Sequence, residues 1–186
     1  MRGVSITSDR LTLITPVGLV TSEQFVKAIN NKQTLQFLYP KSVEYAIDRA
    51  ETFLSYVERA QSDKTKLMLG IFIKTSGEFI GMVSLENIDY ISESCYVGYW
   101  IRQEDCGKGY AIEATKAICD YAFCTLRVQK INADVDLSNT RSVNLLEKLG
   151  FVRLLEKHNT LQNSGFVLNT FEVSKEMWFF LYQTTN

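Results

Sequence analysis

The sequence is poor in the residues that mark several common functional classes. Its 186 residues include one histidine, His158, two prolines, Pro16 and Pro40, and four cysteines, none of them in a Cys-x-x-Cys pair. His158 is remote from Cys95, Cys106, Cys119 and Cys124, so the spacing of a zinc site is lacking and no metal is expected. Cys119 and Cys124 fall in an apolar helical pattern, where buried, reduced thiols are the ordinary outcome. A domain of this size has no need of disulfides. The longest apolar stretch, Leu67 to Ile73, is far shorter than the roughly 20 residues that cross a bilayer. Met1-Arg2-Gly3-Val4-Ser5 lacks the apolar core of a secretory signal. Charge of one sign is also lacking: 20 Lys plus Arg against 21 Asp plus Glu leaves a net charge of −1. Neither nucleic acid nor a membrane is therefore expected as a partner. These absences lead to the expectation of a soluble cytoplasmic protein. A hydrophobic content of 46% suits one compact domain over residues 1–186.

What is present is a change of period along the chain. Arg10 to Ile14 alternates as a strand, and Ser22 can cap a short helix through about Asn30. Ala46, Ile47, Ala50, Phe53, Leu54 and Val57 recur at helical spacing after a candidate cap at Ser42. Leu67 to Lys74 and Phe79 to Asn87 flank Thr75-Ser76-Gly77-Glu78 as a hairpin. Ser94 to Arg102 reads as a third strand beside the second. After the loop Gln103 to Gly109, Ala114, Ala117, Ile118, Tyr121 and Ala122 form the apolar face of a helix. Lys130 to Asp136 reads as a strand, and Thr140 to Leu149 as a helix closed by Gly150. Phe151 to Glu156 and Phe166 to Trp178 read as two final strands. Hairpins first and a crossover later predict an α/β (α+β) fold, a mixed sheet flanked by helices.

Two segments carry chemistry. Gly107-Lys108-Gly109-Tyr110-Ala111 stands between a strand and a helix. Glycines let the backbone turn sharply and approach a ligand, while the helix start presents unpaired N–H groups and a positive dipole end. That combination suits a phosphate or pyrophosphate, with Lys108 adding charge at the rim. A plain strand-to-helix turn would look the same. One strand later, Asn139-Thr140-Arg141-Ser142 opens the next helix, where Asn139 or Thr140 can act simply as a cap.

Gly107 to Ala114, Asn139 to Ser142 and Glu147 to Phe151 together resemble the acetyl-CoA-binding motifs of the GNAT N-acetyltransferase superfamily. Asp9 to Leu13 and Gly98-Tyr99-Trp100 are similar to the branch that acetylates the N-termini of ribosomal proteins. The resemblance runs from about Ser8 to Ser174. It implies a mostly antiparallel sheet whose central strands, Ser94–Arg102 and Lys130–Asp136, splay into a V. The pantetheine arm of acetyl-CoA would lie in the V against backbone near Trp100, Ile101 and Arg102. Its pyrophosphate would sit on the amides of Gly107, Lys108, Gly109, Tyr110 and Ala111. The implied reaction is acetyl transfer to a primary amine, a protein N-terminus by analogy with that branch. A homodimer is compatible with the branch.

Acetyl transfer requires a deprotonated amine, a stabilised oxyanion and a partner for the departing thiolate. Many superfamily members use a tyrosine late in the second helix for the last task, but here Leu145-Leu146 stands there. By resemblance Ser142 takes that role, and Asn139 contacts the cofactor arm. Cys106 replaces the Gln or Arg that usually opens the glycine loop. Tyr96 stands where the branch often has a glutamate, and Gly165 to Asn169 replaces a Gly-x-x-x-Asp pattern. The general base is left open between Glu86, Tyr96 and water. His158 reads as a surface residue at a strand end. A small-molecule amine acetyltransferase and a non-catalytic acyl-CoA sensor are the alternatives. A dinucleotide-binding oxidoreductase fits poorly, because Ile112 occupies the place of a third glycine.

Overall fold

The structure is a computed structural model that describes residues 3–38, 44–60, 62, 64–160 and 167–182, with the backbone alone over 155–160 and at 167. Among the described residues eight strands form one sheet: β1 (Ser5–Thr7), β2 (Leu11–Ile14), β3 (Leu67–Ile73), β4 (Phe79–Asp89), β5 (Ser94–Ile101), β6 (Lys130–Asp136), β7 (Val152–Thr160) and β8 (Val167–Ser174). Their order is β1-β2-β3-β4-β5-β6-β8-β7. Every pairing is antiparallel except that of β5 with β6. That one parallel contact follows from the connection: a crossover helix carries the chain back over the sheet, as parallel neighbours require. The mostly antiparallel sheet flanked by helices matches the expected fold class.

Alternation along the strands divides the core into two layers. Helices α1 (Ser22–Ile29), α2 (Lys32–Leu35) and α3 (Ile47–Ala60) cover one face. There Phe25, Ala28, Ile29, Leu35, Ala50 and Val57 pack with Phe72, Phe79 and Met82. Helices α4 (Tyr110–Tyr121), α5 (Thr140–Lys148) and α6 (Lys175–Tyr182) contribute to the other cluster. In it Ala114, Ile118, Leu146 and Trp178 join Leu69, Val83, Cys95 and Ile131. Full burial of a large apolar side chain such as Phe25 stabilises the fold by about 1.5–3 kcal/mol.

Several boundaries differ from those the sequence suggests. The cap of α1 is Thr21, whose hydroxyl accepts from Gln24 N while the Gln24 side chain accepts from Thr21 N; Ser22 is the first helical residue. This is a capping box, legible as Thr-x-x-Gln. The candidate cap Ser42 lies outside the described residues. Strands β1 and helix α2 are additional elements. The last strand stops at Ser174, and Lys175–Tyr182 is helical rather than extended. A short aromatic run does not declare its period; tertiary contact decides. Ser174 Oγ accepts from Met177 N, and the fully buried Trp178 packs on Phe123 and donates its indole N–H to Asp120 Oδ1 at 2.7 Å. After α4 a π-helical turn, Ala122–Leu126, ends at Arg127 in left-handed backbone. That turn carries Cys124 to the surface, against the expectation of burial, whereas Cys119 is buried; all four cysteines are free. Gly150 follows α5 at φ 87°, as a helix terminator should. No helix among the described residues is long and apolar enough to cross a membrane.

Candidate active site

The parallel pair β5–β6 holds only at its start. Ser94, Cys95 and Tyr96 pair with Lys130, Ile131 and Asn132. Beyond that rung Val97–Ile101 and Ala133–Asp136 have no ladder contact with each other, so the strands part into a V. Antiparallel pairing with β4 continues on the outer side of β5, and the Arg102 amide donates to Ile80 O at 2.8 Å. Alternation along such a ladder leaves Val97, Tyr99 and Ile101 to present their backbone polar groups to the gap. The backbone of Trp100 and the amide of Arg102 are therefore paired with β4, and of the three residues expected near the cofactor arm Ile101 is the one whose backbone polar groups are left to the gap.

A cleft of about 1000 Å3 opens from the V toward the glycine loop, of a size that suits a large cofactor. Trp100, Ile101, Cys106, Gly107, Gly109, Ala111, Asn139 and Ser142 border it, together with α2. Gly107 and Gly109 have φ of 81° and 83°, a region L side chains rarely adopt. A Cβ at Gly107 would point into open space, whereas one at Gly109 would come 3.2 Å from Arg10 Nη2. Gly109 is also the N-cap of α4 and brings no side chain over the first helical amides. Ala111 and Ile112, in the first turn of α4, border the cleft, so the positive helix end lies at its wall, as an anion site requires. The geometry fits a pyrophosphate, and Arg141, Lys148 and Lys32 add cationic side chains along the cleft.

The loop is held from below by ion pairs. Asp105, 2% exposed, takes a hydrogen bond from Lys108 Nζ at 2.8 Å and a closer one from Arg102 Nε. Arg102 also pairs with Glu78 at 2.8 Å. Burial pushes the Asp105 carboxyl up, but the bonds and charges of Lys108 and Arg102 outweigh it and hold the group below its ordinary value. Lys108 is thus a strut for the loop, and neither it nor Arg102 or Tyr110 borders the cleft with its side chain. Tyr110 lies under the Arg10 guanidinium, 4.6 Å from its ring centre. Arg10 also donates to Lys108 O at 3.0 Å and pairs with Glu113 at 2.6 Å, and Ser8 Oγ donates to Glu113 at 2.7 Å. Burial raises the Glu113 carboxyl, yet these donors hold it low. Arg10 and Glu113 lie within segments that carry the family resemblance, but neither they nor Asp105 is singled out by it as a site residue.

A narrower cavity of about 220 Å3 lies within the V, bordered by Val97, Gly98 and Tyr99 of β5, Ala133 to Asp136 of β6, and Asn139, Ser142 and Leu146 of α5. Asn139 Oδ1 accepts from Ser142 N at 3.2 Å, so Asn139 is a cap as well as a cleft residue. Ser142 Oγ lies 2.7 Å from the Tyr99 hydroxyl. Burial raises the Tyr99 phenol far above its ordinary range, a shift the Ser142 contact only partly offsets. Tyr99 lies in the Gly98-Tyr99-Trp100 run of the resemblance, but its contact with Ser142 is made only by the fold.

Glu86 and Tyr96 form a cross-strand pair on the sheet face opposite α4. Glu86 Oε1 accepts from Ser84 Oγ at 3.0 Å and would stand 4.0 Å from a Cβ at Gly98. Neither Glu86 nor Tyr96 borders either cavity; Asp134 and Asp136 do. The Tyr96 phenol is raised by burial and then by Asp134 and Glu172, which suits it poorly to accept a proton. Gly165 and the side chain of His158 lie outside the described residues, while Asn169 is buried and accepts from Arg153 at 2.6 Å.

The comparisons with known proteins agree with this geometry. The sequence profile of the acetyltransferase (GNAT) domain matches residues 10–152. The probable N-acetyltransferase YjcK of Bacillus subtilis is 36% identical over 97 residues, 52% of this chain and 53% of that protein. Spermidine N(1)-acetyltransferase of Vibrio cholerae is 34% identical over 99 residues, 53% of this chain and 55% of that protein. The [ribosomal protein uS5]-alanine N-acetyltransferase of Escherichia coli is 32% identical over 99 residues, 53% and 51%. The matched part of the chain thus spans about half the length of these curated relatives. In fold, the chain is similar to Mycobacterium smegmatis RimJ in complex with CoA-disulfide, with TM-score 0.78, 18% identity, and 94% and 89% of the two chains covered. With the profile covering most of its length, the chain belongs to the GNAT acetyltransferase family.

Proposed function

We propose that the chain, as one domain, transfers the acetyl group of acetyl-CoA to a primary amine, a protein N-terminus in the first instance, in the cytoplasm. The observation that carries this reading is the continuity of the site. One cleft runs from the amides of the glycine loop to the V, and Ser142 borders both the cleft and the inner cavity. Acetyl-CoA supplies an activated carbonyl: a C–N bond forms, the C–S bond breaks with its electron pair remaining on sulfur, and the amine proton passes to a base or water. Gly107, Gly109 and Ala111 would hold the pyrophosphate, Ile101 the arm, and the Ser142 hydroxyl would donate to the departing sulfur. A free α-amine has a pKa of about 7.7–8.0, so its deprotonation needs little assistance. The free thiols suit a reducing compartment.

The relatives include one that acts on a ribosomal protein and one that acts on spermidine. A polyamine acceptor is the second reading, favoured by one observation. Asp134 and Asp136 border the inner cavity, and Glu86 and Glu172 share that sheet face by register, a field that attracts cations.

Thiol release from acetyl-CoA, measured with short peptides bearing free N-termini and with spermidine, tests both. Peptide turnover supports the first reading and spermidine turnover the second. Acetyl-CoA binding without release from any acceptor would establish a sensor instead. Ser142→Ala should lower kcat roughly ten- to a thousandfold with acetyl-CoA affinity retained, because its bond strengthens as charge develops on sulfur. Unchanged kcat with a lowered unfolding midpoint would reduce Ser142 to a helix-start hydroxyl.

A further inference from the structure

Ser142 has a partner that its sequence neighbourhood does not reveal. The Tyr99 hydroxyl lies 2.7 Å from Ser142 Oγ and 3.5 Å from the Ser142 carbonyl oxygen. Tyr99 stands on the stretch of β5 that pairs with β4 but not with β6, and Ser142 in the first turn of α5. Both border both cavities. Asn139 Oδ1 holds the Ser142 amide, which fixes the backbone and leaves the side-chain rotor free.

A serine hydroxyl has one proton and two acceptor lone pairs. If it donates to Tyr99, it has nothing left for a departing sulfur. If it accepts from Tyr99, its proton must point elsewhere. The phenol has one proton and stands closer to Oγ than to the carbonyl oxygen, so a phenol that donates does so to Oγ. Burial keeps that phenol protonated, in agreement. Ser142 borders both cavities, so a proton not held by Tyr99 has open space to turn into.

We infer that Tyr99 is a positioning residue for acetyl transfer: it donates to Ser142 Oγ and so turns the serine proton toward the gap where the thioester sulfur would leave. The inference rests on the proposed role of Ser142. As the C–N bond forms and the C–S bond breaks, the electron pair stays on sulfur. Ser142 hydrogen-bonds to that thiolate and keeps its proton, Tyr99 keeps its own, and the amine proton leaves through a base or water. A donor chain of this kind strengthens when its end meets a charged acceptor.

The test compares the unaltered protein with Tyr99→Phe, Ser142→Ala and the double variant. Thiol release is measured with acetyl-CoA and two probe acceptors, spermidine and a tripeptide with a free N-terminus, and CoA affinity is measured by calorimetry. Phenylalanine keeps the ring in place and removes only the hydroxyl. Tyr99→Phe should lower kcat roughly three- to thirtyfold, the range for one hydrogen bond that matters mainly as charge develops. The KM for acetyl-CoA and the CoA affinity should hold. The double variant should be no slower than Ser142→Ala, since both changes break one unit. A Tyr99→Phe variant at full kcat overturns the inference, as do losses that multiply in the double variant. So does a fall in CoA affinity that matches the fall in kcat, which would mark a structural role. If Ser142→Ala itself keeps full kcat, the reading of Ser142 fails and the inference with it. If Ser142→Ala is slow while Tyr99→Phe is not, only the inference fails. CoA binding without thiol release from either probe overturns both.

Discussion

At the scale of single residues, the glycine loop depends on ion pairs that fix where it starts. Asp105 is the clearest case: a buried carboxylate whose two oxygens hold Arg102 and Lys108 and so fix the start of the glycine loop. Asp105→Asn should cost about 1–3 kcal/mol, because it leaves the cations imperfectly paired. Its folded carboxyl is held below the ordinary value. Its stabilisation is therefore present above the unfolded carboxylate range, near about pH 4, and is lost as pH falls through the lower folded value. Unfolding midpoints measured down through that range should fall on acidification, and fall less steeply in Asp105→Asn. Equal slopes for the two proteins would contradict this account. Glu113 contributes a parallel dependence that the variant keeps, since its carboxyl is also held low. Lys108 and Arg102 were legible as site residues only by position. Their side chains turn to Asp105, an attraction between near neighbours that outweighs the attraction of an open rim.

At the scale of elements, local signals were faithful wherever the backbone itself was constrained. The glycine loop, the start of α5 at Asn139 and the stop at Gly150 all rest on dihedrals or caps that short segments specify. Gly150 illustrates how such a stop is also used in packing. Its φ is 87°, and a Cβ there would come 2.3 Å from Leu181 Cδ1 on α6. Gly150→Ala should cost about 1–2 kcal/mol for the left-handed backbone alone, with more if Leu181 cannot move aside. A lowered unfolding midpoint with CoA affinity unchanged is the expected result, and calorimetry beside a melting curve checks it. Helix α6 itself was misread as strand. Its cap at Ser174 is local, but what makes it helical is the seat of Trp178 against Phe123 and Asp120, and those partners lie more than 50 residues away.

At the scale of the whole molecule, one ligand should report on all these parts together. The cleft is bordered by α2, β5, the glycine loop and α5, elements that are far apart in an unfolded chain. Acetyl-CoA should bind only the folded form and stabilise it by about 2.7 kcal/mol at a hundred times Kd. A thermal scan should show an upward shift with acetyl-CoA or CoA and little with NADH or NADPH. A larger shift with a dinucleotide would contradict the reading, since the loop has Ile112 where a third glycine would stand.

By itself the sequence determined what depends on near neighbours: the period of most strands and most helices, the glycines of the loop, and the acetyltransferase motifs at Gly107 to Ala114 and Asn139 to Ser142. The tertiary structure alone decided what depends on distant chain segments meeting. It placed Tyr99 against Ser142 across 43 positions, joined Arg10 to Glu113 across 103, and ended the β5–β6 ladder at Tyr96 and Asn132. The physical reason is that alternation tells which face a residue takes, but not which side chain of another element will stand opposite it. Ser142 was visible as a candidate because its motif is local; its orienting partner was hidden because their contact is made only by the fold.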